Sequence, residues 1–157
     1  MSEQQTAKTE KTEKPEKVEK KRVLLVSGKR KTAIARAIVK NGSGKTFING
    51  IPLQTFTPEI ARVKISEPII LSGERWKTLD FNVKVTGGGF IGQAEAARMA
   101  IAKGLVKYSN DKTLKAKFLE YDRNLLVYDP RRNESHHSSG RGASKRGSRR
   151  HKQRSKR

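Results

Sequence analysis

Two glycine-rich stretches and a set of clustered cations are the places where the residue types of this chain could do chemistry. Gly87-Gly88-Gly89-Phe90-Ile91-Gly92 satisfies G-x-G-x-x-G between a strand pattern and a helix pattern. In that context a tight turn brings backbone amides and a helix N-terminus against a dinucleotide pyrophosphate. The rest of such a unit is missing. After the helix pattern the chain enters a second helix pattern instead of a parallel strand, so Asp111, about 20 residues on, does not stand at a strand tip where it could hold a ribose. What remains is a sharp strand-to-helix turn whose amides around Gly88 and Gly89 can meet a phosphate of a larger nucleic acid. Gly42-Ser43-Gly44-Lys45-Thr46 imitates the end of a Walker A loop, but the first glycine of that motif would fall at Val39. It reads as a turn with Lys45 as its charged shoulder.

Catalytic constellations are not legible. The three histidines, His136, His137 and His151, fall in a tail whose only hydrophobic side chain is Ala143, too little to hold a neighbouring group against an imidazole. Nine acids are scattered over residues 23 to 130 with no spacing that converges on a two-metal site. Cysteine is absent, which excludes disulfides, Cys-based zinc sites and a thiol nucleophile. No run approaches the roughly 20 apolar residues of a membrane span, and the N-terminus lacks the apolar core of a signal peptide. The expectation is a protein that is not an enzyme and that has no cofactor, metal, membrane or small-molecule substrate.

The cations point elsewhere. The chain of 157 residues carries 36 Lys or Arg against 15 Asp or Glu, a formal charge of +21. Such an excess opposes compaction of an isolated chain and implies an anionic partner. It is unevenly spread: +2 over residues 1 to 22, +9 over residues 23 to 130 and +10 over residues 131 to 157. The last 23 residues hold Arg141, Lys145, Arg146, Arg149, Arg150, Lys152, Arg154, Lys156 and Arg157, with no acid and no aromatic residue. A segment so poor in apolar surface cannot offset the entropy of ordering itself, so it is expected to stay extended until a polyanion neutralises it. The middle portion is basic too, with Lys29-Arg30-Lys31 in a row, and should present an electropositive face of its own.

The elements that must position these groups follow from periodicity. Residues 1 to 22, with Lys every third residue and Glu between, read as a solvated polyampholyte extension. Residues 23 to 130 are long enough for one domain. Val23 to Val26 begin it, Ser27 to Thr32 interrupt, and Thr32 to Lys40 alternate as a strand. Ile34, Arg36 and Ile38 take one face, and Ala33, Ala35, Ala37 and Val39 the other. With a turn at Asn41 to Gly44, residues 32 to 48 read as a hairpin ending at Asn49-Gly50. Thr57-Pro58-Glu59 reads as a helix start with a hydroxyl cap; Ile60, Val63 and Ile65 form its buried stripe, and Pro68 breaks or restarts it. Ile69, Ile70 and Leu71 pack before Ser72-Gly73, and Trp76 packs locally in the loop that follows.

Asp80 to Thr86 is a strand with Phe81, Val83 and Val85 facing a core. From about Gln93 to Tyr108 runs a helix whose small residues, Ala94, Ala96, Ala97 and Ala100, allow close packing on a sheet. Asn110 and Asp111 can cap a further helix with Leu114, Phe118 and Tyr121 on one stripe, and Leu125, Leu126 and Val127 finish the core.

Five stretches together carry a resemblance. They are Ser27 to Ala37, Ile48 to Leu53, Val85 to Ala94, Asp129-Pro130-Arg131-Arg132-Asn133-Glu134, and the terminal Ser155-Lys156-Arg157. In this order they resemble the small-subunit ribosomal protein nine family, over about Val23 to Arg157, with wording closer to its archaeal and eukaryotic branches. The stretch from Ser135 to Ser139 and its Gly-rich sequel depart from the Lys- and Pro-rich linkers of that family.

The resemblance implies an α+β domain, a four-stranded sheet with helices packed on it, followed by an extended basic tail. It implies a cytoplasmic ribonucleoprotein constituent lodged in the head of the small ribosomal subunit. Its partners would be ribosomal RNA, the peptidyl-site transfer RNA and neighbouring ribosomal proteins. On that reading Lys29, Arg30, Lys31, Arg36, Lys45, Gly88, Gly89, Arg131, Arg132, Arg141, Lys145, Arg146, Arg149 and Arg150 meet ribosomal RNA. Arg154, Lys156 and Arg157 approach the transfer RNA anticodon stem-loop. Reach is sufficient, because 23 residues at about 3.3 Å each extend up to ~75 Å, well beyond the radius of a domain of ~110 residues. Rival expectations are a DNA-compacting protein and a dinucleotide-binding enzyme.

Overall fold

The computed structural model describes residues 22–131. The N-terminal extension apart from Arg22, and the tail beyond Arg131, lie outside the described residues. Strands β1 (Leu24–Arg30), β2 (Ala33–Asn41), β3 (Thr46–Ile48), β4 (Ile51–Pro52) and β5 (Leu79–Thr86) form one sheet in the order β1-β2-β5-β3-β4. Helices α1 (Glu59–Ser72), α2 (Phe90–Ser109) and α3 (Lys112–Tyr121) complete the domain with three short 3-10 segments. This is the expected α+β arrangement of helices on a sheet, with a fifth strand of two residues at one edge. None of the helices is long and apolar enough to cross a membrane.

Packing of α2 on the sheet follows from side-chain size. Ala33, Ala35, Ala37 and Val39 of β2 and Phe81, Val83 and Val85 of β5 are buried against Ala96, Ala97, Ala100, Ile101 and Leu105. A Cβ on Gly28 would stand 2.1 Å from the carbonyl oxygen of Ala96, and one on Gly104 would stand 2.9 Å from Val39. Glycine at these two positions sets how closely helix and sheet approach. Arg98 ties the helical layer together, its guanidinium held by Glu67 of α1 at 2.6 Å and by Asp122 beyond α3 at 2.9 Å.

Several expectations need correction. The hairpin over residues 32 to 48 does not form, because β5 lies between β2 and β3. The loop after β2 is bonded to the beginning of β5 instead: the amide of Gly42 donates to the carbonyl of Thr78 (2.9 Å) and that of Phe81 to the carbonyl of Lys45 (2.8 Å). β3 then pairs parallel with β5, and a parallel pair requires a long crossover, here α1. Two tight hairpins stand elsewhere. Ser27 to Thr32 does not interrupt the sheet, since β1 runs on to Arg30, which faces Ala33 across the turn at Lys31-Thr32. Asn49-Gly50 is itself the turn joining Ile48 to Ile51, with φ of 50° and 84°, the left-handed pair a two-residue hairpin requires. Asn49 also extends the ladder, accepting from the amide of Val85 at 2.7 Å.

The phase of α1 differs as well. Its buried face is Ala61, Ile65, Pro68, Ile69 and Ser72, while Ile60, Val63 and Ile70 are 63%, 54% and 73% exposed. Ala61, too small to stand out in a hydrophobic pattern, sets the stripe. Pro68 neither breaks nor restarts the helix. It costs one backbone bond, and Pro68 is itself buried in the face that α1 turns to the core, flanked by Ile65 and Ile69. The helix begins at Glu59 after a cis Thr57-Pro58 peptide, and no side chain caps it. Tyr121 and Val127 are exposed rather than buried. Trp76 lies in a 3-10 helix and packs against the core.

Candidate nucleic-acid interface

The helices cover one side of the sheet, and the alternation of β1, β2 and β5 sends a second set of side chains to the other. In register across three strands stand Ser27, Arg36 and Lys84, then Leu25, Ile38 and Asn82, then Lys29, Ile34 and Thr86. Ser27, Lys29, Arg36, Asn82, Lys84 and Thr86 are exposed and Ile34 and Ile38 half-buried. Arg36 and Lys84 are directly opposed in the ladder. Like charges so placed repel, and among the described residues no carboxylate forms an ion pair with either. Lys84 and, toward the far end, Lys40 belong to this surface, although the sequence reading did not select them. The signal was available in the alternation of Asp80 to Thr86, where Lys84 falls between the core-facing Val83 and Val85.

The row Lys29-Arg30-Lys31 is split by the same alternation. Lys29 points outward from the open face and Lys31 occupies the turn at φ 52°. Arg30 turns toward the helices, where Nε donates to Glu95 of α2 at 2.6 Å and the guanidinium pairs with Asp129. Asp129 is nearly inaccessible and also accepts from the backbone amide of Arg131 at 3.0 Å and from its guanidinium. Arg30 is thus held in a clamp with the residues from which the tail departs.

The glycine turn leans on this corner. Gly87 and Gly88 have φ of 75° and 70°, and a Cβ on Gly87 would stand 2.6 Å from the carbonyl oxygen of Thr32. Gly89 is the N-cap of α2, and no side chain caps the helix. Lys29, Arg30, Lys31, Gly88, Gly89 and Arg131 are therefore brought to one corner of the domain, beside Arg36 on the open face. Lys45 is not among them. It lies at the opposite end of β5, where its amide and that of Ser43 each donate to Asp80 at 2.9 Å. Those amides, that of Lys45 first, hold the Asp80 carboxyl below its usual range against the opposing effect of partial burial. The remaining named residues, Arg132, Arg141, Lys145, Arg146, Arg149, Arg150, Arg154, Lys156 and Arg157, lie outside the described residues, as do the three histidines.

An open cationic face beside a corner from which a basic segment departs is chemistry for binding a polyanion along its backbone. Asp80 is occupied by backbone amides, and Asp129 and Glu95 by the guanidinium of Arg30. Among the described residues no group of three or more metal-ligating side chains converges.

Comparison with known proteins agrees in kind. The family model described as ribosomal protein S9/S16 matches residues 28–157. The chain belongs to this family. It is also 47% identical over 122 residues to the small ribosomal subunit protein uS9 of Methanothrix thermoacetophila, a match covering 78% of this chain and 92% of that protein. The residues matched by the family model include Arg36 and Lys84 of the open face, the corner and the whole basic tail.

Proposed function

We propose that this protein is a structural constituent of the small ribosomal subunit that binds the ribosomal RNA of the subunit head and extends its C-terminal tail to the anticodon stem-loop of peptidyl-site transfer RNA. The observation that carries the RNA-binding part is the pairing of Arg36 with Lys84 on the uncovered side of the sheet. Two adjacent cations without a carboxylate are unfavourable in the isolated domain and favourable against phosphates. Lys29, Lys31 and the amides around Gly88 and Gly89 continue that surface to the corner, and Arg131, held by Asp129, begins the tail there.

The mechanism is electrostatic positioning. The domain anchors, Arg132, Arg141, Lys145, Arg146, Arg149 and Arg150 neutralise RNA along the way, and Arg154, Lys156 and Arg157 add charge-assisted hydrogen bonds to the anticodon stem. A phosphate contact at the tip is blind to sequence, which suits a site that accepts every transfer RNA in turn. Arg30 serves by clamping the exit of the tail rather than by exposing its own charge to RNA. The working place is the ribosome in the cytoplasm, beside other proteins of the subunit head.

Two measurements test this. Co-sedimentation with small subunits at high salt, set against recovery on bulk DNA, separates the ribosomal reading from a DNA-compacting one. Deletion of Ser155 to Arg157 is expected to weaken peptidyl-site transfer RNA binding while subunit assembly is retained; unchanged affinity and frame maintenance would remove the role of the tip.

A further inference from the structure

A second set of cations stands on the helices, on neither the open face nor the corner, in a groove that reaches the rim of the open face at Leu25 and Ser27. Lys103 and Lys107 on α2 and Lys112 and Lys115 on α3 line one groove of about 610 Å³ beside the start of β1, with Leu25 and Leu126 among its apolar walls. Their placement is unfavourable in the isolated chain. Lys103 and Lys107 are four residues apart on one helix, where like charges repel. Lys103 is half-buried, and burial, then Lys107, holds its ammonium below the usual lysine range. Lys112 and Lys115 stand at the N-terminal end of α3, the positive end of its dipole.

Among the described residues the one acid in the lining does not relieve this. Asp111 accepts from the backbone amide and the hydroxyl of Thr113, both at 2.8 Å, and pairs with Arg75 at 2.6 Å. None of the four lysines has a carboxylate ion-pair partner among the described residues.

We infer that this groove is a second RNA-binding site, in which Lys103, Lys107, Lys112 and Lys115 hold neighbouring phosphates of one backbone segment. The inference rests on the RNA-binding reading above and extends it to a different surface. Ammonium groups act as point charges toward phosphate, and among the described residues no aromatic side chain lines the groove to stack a base. The groove meets β1 at Leu25 to Ser27 and the corner lies at its last residue, Arg30.

The test uses the full chain carrying Lys107→Gln, Lys112→Gln and Lys115→Gln together, all at exposed positions, beside an Arg36→Gln, Lys84→Gln chain and the unchanged one. Binding to a fragment of small-subunit ribosomal RNA from the subunit head is followed between about 50 and about 200 mM salt. The triple variant is expected to lower the slope of log K against log salt by about 2 to 3. In reconstituted small subunits it should expose nucleotides different from those exposed by the double variant. An unchanged slope in the triple variant alone overturns the groove and leaves the open face standing; an unchanged slope in both overturns the two together. If the triple variant keeps its RNA slope but no longer binds poly-glutamate, the groove serves an acidic protein segment and the inference is wrong.

Discussion

Residues 33 to 40 of β2 read alternately into two environments. Ala33, Ala35, Ala37 and Val39 are fully buried, whereas Ile34, Arg36, Ile38 and Lys40 face away from the helices. The inner row is defined by what it lacks: with no bulk at three of its four positions, α2 can settle close to the strand. The outer row carries Arg36 and Lys40, neither of which forms an ion pair with a carboxylate among the described residues. One strand thus specifies both the shape of the domain and the chemistry of its partner, and the two properties are separable because side chains alternate.

That separation can be attacked first from the inside. Phe81→Ala removes a fully buried ring packed beside Gly104 and is expected to destabilise the domain by about 3–5 kcal/mol, read as a lowered urea midpoint. RNA affinity, corrected for the folded fraction, should hold. Asp129→Ala comes next, leaving Arg30 with Glu95 as its remaining partner and freeing Arg131; a loss of about 3 kcal/mol is expected. Unlike Phe81→Ala, it should also alter the tail crosslinks to RNA, since the exit of the tail is no longer fixed.

From the outside the pattern inverts. Arg36→Gln with Lys84→Gln should change stability by no more than about 0.5 kcal/mol, in the stabilising direction if at all, because a like-charged cross-strand pair is removed. RNA binding should weaken, with the salt slope falling by about 2. The smallest effect belongs to Asp80, whose lowered pKa makes it stabilising when ionised. Its contribution is present above the unfolded value of about 3.9 and lost as pH falls through the lower folded value. The stability gap between the unchanged chain and Asp80→Asn, open at neutral pH, should therefore close below about pH 4.

Much of this contrast was legible in the sequence. The alternation in residues 33 to 40 and 80 to 86 gave both faces, and the alanines of α2 gave close packing. What failed depended on tertiary pairing. Nothing local to residues 41 to 48 signals that a strand 30 residues later will take the place beside β2. In α1 the small Ala61 set the phase while bulkier Ile60 and Val63 drew the reading, and Pro68 stands inside a helix held by its packing. At the site, the row Lys29-Arg30-Lys31 looked uniform, but strand alternation divides it into two exposed cations and one clamped guanidinium. The lysine groove was invisible because its residues come from two helices brought together beside β1.

The most direct measurement places a photoreactive side chain at position 84 in assembled small subunits and identifies what it captures. An RNA-facing sheet predicts crosslinks to ribosomal RNA, reduced when Arg36 is changed to Gln. Crosslinks to protein alone would contradict the assignment of the open face to RNA.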